Sequence, residues 1–411
     1  MKEAAKYLII GGGIAGTTAA ETIRQQDKDG SIAIISDEPY GLYSRIMLSK
    51  PNFFLEKIPF EKVWLKQTSW YQEQNIKLIA GKKAVELDVS KKTVVLDDGT
   101  NIEYEKLLLA IGGCARKLTN PGSDKKNIFV LRTLDDAKGI IAATKTAKKA
   151  VTIGGGFVSF EMCDMLRMAG IEVTLLIRED CYWKNLLDET SGAMIEDALI
   201  KGGVKIIKQA EVAEFYGKEK VEGVVLKDGS KIDCDMAICG VGIFCPFSWL
   251  ESAEIKAGRG ILANEFLETN IPDIWTAGDS AEFKDIIIGE TVQLGNWVNA
   301  QMQGKAAGLN MVGKKEPFKL VSFYTTQGFG LTIAFVGDIR PKPERVIINR
   351  GSKEMNSYAR IIIADGEVVG ATLINRTQEL SVISKIIEKD INVAGKEKEL
   401  SDPAFNLSSL N

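Results

Sequence analysis

The chain contains no histidine in 411 residues, which excludes any mechanism built on an imidazole base, a Ser-His-Asp triad or a histidine-ligated metal. Proton transfers fall to Asp, Glu, Lys, Tyr, Cys or water. Cysteine is scarce as well: there are six, none in a C-x-x-C pair, which reads as a reducing compartment and no metal site. No apolar run is long enough to span a bilayer, and the opening from Met1 to Lys6 lacks the apolar stretch of a signal peptide. A cytoplasmic protein without a membrane span is expected. The net charge of -3 gives no broad basic field, and the lysine pairs beginning at Lys82, Lys91, Lys125, Lys148 and Lys314 are scattered; they read as solvated surface, with no nucleic-acid partner. With 45% hydrophobic residues, the chain has room for two or three domains with full cores.

What the sequence does have is one glycine pattern, written twice. Ile9-Ile10-Gly11-Gly12-Gly13-Ile14-Ala15-Gly16 and Val151-Thr152-Ile153-Gly154-Gly155-Gly156-Phe157-Val158-Ser159 each join an apolar run to a helix-like segment. The first glycine makes the tight turn, the second lets the backbone approach a pyrophosphate, and the last position sets helix–strand packing. The pyrophosphate rests on the helix N-terminus, whose free N–H groups favour an anion. A lone glycine turn would be weak, but the context repeats too. Hairpins turning on Asp-Gly follow at Val94–Ile102 and Val224–Ile232. Each leads into an apolar strand ending in glycine, Leu107 to Gly112 and Met236 to Gly242, with Ala110, Gly112 and Gly242 as candidate cofactor contacts. Two fingerprints in duplicated context imply two nucleotides.

With both halves in view, the chain resembles the FAD-dependent pyridine nucleotide oxidoreductases over nearly its whole length. A third motif supports this: Thr269-Asn270-Ile271-Pro272-Asp273-Ile274-Trp275-Thr276-Ala277-Gly278-Asp279 is similar to the late segment whose Gly-Asp, here Gly278 and Asp279, meets FAD. The resemblance implies an α/β fold with two Rossmann-like dinucleotide-binding domains, for FAD and NAD(P), and a C-terminal α+β domain. The implied boundaries are 1–118 and 248–316 for a split FAD domain, 119–247 for the NAD(P) domain and 317–411 for the C-terminal part. The redox cysteine pair and His-Glu pair of the family's disulfide reductases are missing. In their place, Tyr43-Ser44-Arg45-Ile46-Met47-Leu48-Ser49-Lys50 is similar to a segment of ferredoxin and rubredoxin reductases, nitrite reductase flavin domains, monodehydroascorbate reductase and apoptosis-inducing factor. The likeness implies that Lys50 lies beside the flavin and Arg45 near its ribityl-phosphate side. A cation there favours the anionic reduced ring. Asp37 or Glu38, in a register left open by one residue, would bind the FAD adenosine ribose. Arg132 resembles the crossover arginine that reaches back to FAD. Leu294 to Gly308 resembles the flavin-proximal helix, with Asn296 and Trp297 at the ring edge, or Trp297 in the core. Where relatives carry Trp-Ser-Asp, this chain has Tyr324-Thr325-Thr326.

The second nucleotide is NADPH or NADH. The usual ribose-binding Glu position reads Ile177, followed by Arg178 and, further on, Lys184; Ser159 closes the fingerprint where glycine is usual. These resemble NADPH-dependent members, whereas Glu179 and Asp180 suit the ribose of NADH. Glu161 is read in the first turn of its helix, near the nicotinamide or a flavin-side Lys, or simply as a favourable N-terminal charge. The resemblance implies an enzyme that passes electrons from NAD(P)H through FAD to a small redox protein such as rubredoxin or ferredoxin. Alternatives are an oxidase, a reductase of a quinone or organic radical, and a flavin-bound signalling protein; monomer and homodimer both stay open. Beyond Trp297, residues 323–337 alternate like a strand, Ala359–Ile363 and Val368–Leu373 flank an Asp365-Gly366 turn, a helix follows from about Glu379 to Lys389, and the tail from Gly395 to Asn411 is expected to be loosely ordered.

Overall fold

The computed structural model describes residues 3–184 and 186–410; Met1, Lys2 and Asn411, at the ends read above as a leaderless start and a loose tail, lie outside them, as does Asn185. The chain forms two compact units, one from Met1–Ser44, Glu61–Cys114 and Phe244–Ser322, the other from Arg45–Phe60, Ala115–Ile243 and Phe323–Asn411.

In the first unit the parallel strands run in the order Ile76–Ala80, Ile32–Ser36, Glu3–Ile10 and Asn101–Leu109, with Ile274–Thr276 added beside the last. An antiparallel meander, Thr93–Leu96 and Ala84–Asp88, continues the sheet. Tyr7–Ile10, Ile32–Ile35 and Leu107–Leu109 are continuous buried apolar runs because both faces of the sheet are covered there. Tyr7, Ile9, Ile32 and Ile34 face a core with Ala15, Ala19, Ile23 and Met311. Their neighbours Leu8, Ile10, Ala33 and Ile35 face the opposite one, with Leu87, Val94 and Leu250. Helices Ile14–Gln26 and Trp297–Met311 approach closely on small residues: a Cβ at Gly304 would stand 2.1 Å from the Ala15 carbonyl oxygen.

The second unit repeats the scheme. Its parallel sheet runs Val204–Ile207, Glu172–Leu176, Lys149–Ile153, Met236–Cys239 and Ile128–Phe129. Beside it lies the antiparallel sheet Val212–Tyr216, Gly223–Leu226 and Lys231–Asp233. The C-terminal part is a five-stranded antiparallel sheet, Phe323–Gly328, Leu331–Gly337, Glu367–Ile374, Ser357–Ala364 and Val346–Ser352 in spatial order, covered by helix Leu380–Glu388. Both units therefore carry a Rossmann-like sheet, and the α/β class with a C-terminal α+β part is as expected. Among the described residues no helix is long and apolar enough to cross a membrane.

Two local expectations change, and one strand is added. Residues 323–337 are two strands, not one, turned at Phe329 (φ 51°) and Gly330 (φ 76°); alternation survives a two-residue turn, so it hides the break. The strand Val346–Ser352 was not read at all. The tail is ordered through Leu410: it contains helix Glu397–Ser401, and Leu400 and Leu407 are buried. Arg350, only 1% exposed, explains this by donating to the carbonyls of Leu400, Asp402, Pro403 and Phe405 while pairing with Glu379 at 3.0 Å.

Candidate functional site

Each unit presents a glycine turn where its strand order reverses, the usual position for a ligand in such sheets. In the first, Ala110 N–H donates to the Ile10 carbonyl at 2.8 Å, so the ends of both central strands meet at the turn. Gly11 has φ 116°, and a Cβ there would lie 2.0 Å from the Ala110 oxygen; only glycine fits. A Cβ at Gly16 would reach 2.0 Å from the Gly11 oxygen, so this position sets the close helix–strand packing. Helix Ile14–Gln26 begins at Gly13 with no side-chain cap and no acidic residue in its first turn, leaving its N–H groups open to an anion. Gly112 takes φ 64° as the chain leaves the neighbouring strand.

Around this turn, Glu38 is held by the Tyr43 hydroxyl at 2.6 Å, whereas Asp37 is exposed. Gly278, at φ 83°, starts the short turn that carries Asp279. A Cβ at Gly295 would lie 3.2 Å from an Asp279 carboxylate oxygen. Asn296 caps helix Trp297–Met311 through the Asn299 N–H at 2.9 Å and donates to Ser322 Oγ at 3.2 Å. Trp297, in the first turn, is half-buried. Two groups missed in the sequence are Gln303, whose Oε1 accepts from Gly278 N–H at 2.8 Å, and Gln293, whose amide reaches the Asp279 carbonyl at 2.8 Å; nothing in their spacing marks them.

The second turn is built alike. Gly154 has φ 114°, a Cβ there would stand 2.4 Å from the Gly240 oxygen, and Gly240 N–H donates to Ile153 at 2.8 Å. Gly156 precedes Phe157 and Val158 as the N-cap of helix Phe157–Met168, and Gly242 takes φ 93° beyond the adjacent strand. Ser159 is buried, its hydroxyl turned back toward the Ile153 carbonyl at 3.4 Å and against Gly240. The Tyr182 hydroxyl, unanticipated, donates to the Gly156 carbonyl at 2.8 Å, and burial pushes its pKa well above the usual phenol value.

Beside this turn lies a cavity of about 550 Å³ lined by Gly154, Gly155, Arg178, Glu179, Trp183, Lys184, Glu211 and Lys227 among others. Ile177 is fully buried, its Cγ2 3.3 Å from where a Gly155 Cβ would be. The Arg178 guanidinium donates from Nε and Nη2 to one oxygen of Glu179, at 3.2 and 2.9 Å. Lys184 pairs with Asp180 at 2.5 Å, and that ammonium holds the Asp180 carboxyl below its ordinary value. Trp183, Glu211 and Lys227 were missed. Lys227 stands in the Asp-Gly hairpin, which was read for topology only.

Lys50 and Glu161, chosen separately, meet. Lys50 donates to Glu161 Oε1 at 2.5 Å, Thr326 Oγ1 donates to the same oxygen at 2.7 Å, and Ser49 donates to Oε2. Glu161 does not lie in the first helical turn, where no acidic residue occurs. It sits one turn in and serves these three side chains, not the helix N-terminus. Arg45 donates to the Arg132 carbonyl at 2.8 Å, and Arg132 N–H donates to Asp136, part of a capping box with Thr133. Three thiols, Cys163, Cys234 and Cys239, are buried, which pushes each pKa up to about 12. Such thiols are poor nucleophiles.

The chain belongs to the pyridine nucleotide-disulphide oxidoreductase family, whose model matches residues 5–304, and residues 325–391 match the rubredoxin NAD+ reductase C-terminal domain. It is an NAD(P)H oxidoreductase by that membership. It is 29% identical to the nitrite reductase [NAD(P)H] of Bacillus subtilis over 96% of its length, but spans only about half of that relative (48%). It is 28% identical to the ferredoxin–NAD(+) reductase component of the biphenyl dioxygenase system of Paraburkholderia xenovorans, covering 98% of this chain and 97% of that one. Among solved structures, the covalent putidaredoxin reductase–putidaredoxin complex superposes with a TM-score of 0.93 at 25% identity, covering 99% of this chain and 98% of that one.

Proposed function

We propose that the protein binds FAD at the Gly11–Gly16 turn and NADPH at the Gly154–Ser159 turn, and passes electrons from the nicotinamide to a small redox protein of the rubredoxin or ferredoxin kind in the cytoplasm. The observation that carries this is the duplicated turn: two uncapped helix N-termini, each beside a glycine whose Cβ would strike the neighbouring strand. The donor set fits the cofactors, because each turn offers backbone N–H groups to a pyrophosphate. Glu38 is the ribose acceptor in this reading in preference to Asp37, supported by its orientation by the Tyr43 hydroxyl. When bound, FAD supplies the step between two-electron nicotinamide and one-electron acceptor chemistry.

The chain's own residues bind and orient. Lys50 provides the fixed cation for the flavin, and Glu161 holds Lys50 in place with Thr326 and Ser49 as supports. Gly11, Gly13, Ile14, Ala15, Gly16, Ala110, Gly112, Arg45, Arg132, Gly278, Asp279, Asn296 and Trp297 belong to the FAD side of the proposal. Gly154, Gly156, Phe157, Val158, Ser159 and Gly242 belong to the nicotinamide side. There Arg178 and Lys184 serve the adenosine 2′-phosphate. The names of the relatives support the partner: a ferredoxin–NAD(+) reductase component and a reductase bound to putidaredoxin. A second reading, NADH, is favoured by one contact, since Glu179 is fixed by Arg178 at the same cavity and a carboxylate there suits a free ribose. Reconstitution with FAD followed by anaerobic titration with each nucleotide tests the proposal. A flavin spectrum bleached by lower concentrations of NADPH than of NADH is expected; failure to retain flavin overturns it.

A further inference from the structure

The cavity beside the second glycine turn receives a cation from outside the segment that usually reads the nucleotide. Lys227 occupies the hairpin between strands Gly223–Leu226 and Lys231–Asp233, and this loop is fixed on its backbone. Gly229 N–H donates to Leu226 at 2.9 Å, Leu226 N–H to Ser230 at 2.8 Å, and Asp228 accepts from the Ser230 N–H and hydroxyl at 2.9 and 2.7 Å. Lys227 N–H also donates to the Glu211 carbonyl at 2.9 Å, so its Cα is anchored at the cavity rim. The ammonium meets Glu211 Oε2 at 2.5 Å, and this bond, with Arg178 as a weaker influence, holds the Glu211 carboxyl below its ordinary value.

Each cation on this wall has a carboxylate partner: Arg178 with Glu179, Lys184 with Asp180, Lys227 with Glu211. The first two pairs join residues one and four positions apart on a single segment, so cation and carboxylate travel together. The Lys227–Glu211 pair joins two strand ends, and the lysine side chain is 65% exposed. A flexible four-carbon stem can leave one oxygen for another without backbone movement. We infer that Lys227 and Glu211 form a nucleotide-discriminating pair, in which Lys227 exchanges Glu211 for the 2′-phosphate of NADPH and Glu211 disfavours that phosphate by like charge. This rests on the reading of the cavity as the adenosine end of the nucleotide site.

The test uses the full-length, FAD-loaded protein and two adenosine probes, 2′,5′-ADP and 5′-AMP, with dissociation constants measured by calorimetry at two salt concentrations. Lys227→Gln should weaken 2′,5′-ADP about three- to tenfold and reduce its salt sensitivity, while 5′-AMP changes little. Glu211→Gln should tighten 2′,5′-ADP about threefold, again sparing 5′-AMP. Lys227→Arg should keep the discrimination. Both side chains are largely exposed, so loss of folding does not confound the result. If wild type binds both probes and neither variant moves their ratio, the discriminating role is wrong while the nucleotide site stands. If wild type binds neither probe, the site assignment itself falls, and this inference with it.

Discussion

Glu161 accepts from three donors of unequal environment, and a double-mutant cycle can separate them. Thr326 is buried, 2% exposed, and its hydroxyl lies 2.7 Å from the carboxylate; a hydrogen bond to a charged group in such a setting contributes about 1.5–3 kcal/mol. Lys50 lies closer, at 2.5 Å, but its side chain is 37% exposed, so solvent and side-chain entropy reduce the ion pair to about 0.2–1 kcal/mol. Thr326→Val keeps the side-chain shape and should therefore cost more stability than Lys50→Ala. The cycle with Glu161→Ala should show Thr326 coupling exceeding Lys50 coupling by about 1 kcal/mol. Urea denaturation of the FAD-loaded protein gives the six stabilities of the two cycles, which share wild type and Glu161→Ala. The functional ranking should be the reverse: Lys50→Ala slows flavin reduction by NADPH more than Thr326→Val does. Equal coupling energies, or a kinetic loss larger for Thr326→Val, would refute the division between a supporting hydroxyl and a functional cation.

Arg178→Ala should weaken NADPH about fivefold and NADH hardly at all, as read from kcat/KM ratios; its 72% exposure keeps the effect near 1 kcal/mol at most. A wild type that strongly prefers NADH would contradict it. Arg350→Met should cost about 3–5 kcal/mol, the range for removing one partner of a buried charge pair, and expose the tail to carboxypeptidase; a tail as protected as in wild type would show that the carbonyl clamp is dispensable. Burial works against ionisation at Asp338, but hydrogen bonds from Arg340 and Arg345 prevail and hold its carboxyl well below the usual range. Its contribution is thus fully present above the unfolded value of about 3.9 and is lost as pH falls below that toward the folded value. Asp338→Asn should flatten the acid limb of a stability–pH curve, and an unchanged limb would exclude this role.

The duplicated glycine turns, the Asp-Gly hairpins and the strands that flank them were legible because each is a local pattern with one backbone solution. Gly11 and Gly154 must be glycine for reasons contained within a few residues of chain and one neighbouring strand. The pairing of Lys50 with Glu161 was not legible from spacing, since the two lie 111 residues apart and only the folded chain joins them. Thr326 was noticed as a departure from relatives, yet its bond to Glu161 needed the sheet to place it. Lys227 stands in a hairpin whose Asp-Gly turn shows topology alone, and nothing in the spacing marks Glu211 as its partner. The ordered tail was hidden for a different reason: its partner is Arg350, a charged residue on an edge strand, where exposure is the ordinary expectation.

Electron delivery is the central claim, and an anaerobic two-step mixing experiment addresses it most directly. The FAD-loaded protein is reduced with one equivalent of NADPH and then mixed with oxidised rubredoxin or ferredoxin. The account predicts bleaching of the flavin bands in the first step and their return in the second, with two equivalents of one-electron acceptor reduced per flavin. Bleaching followed by no reduction of either protein acceptor would contradict it.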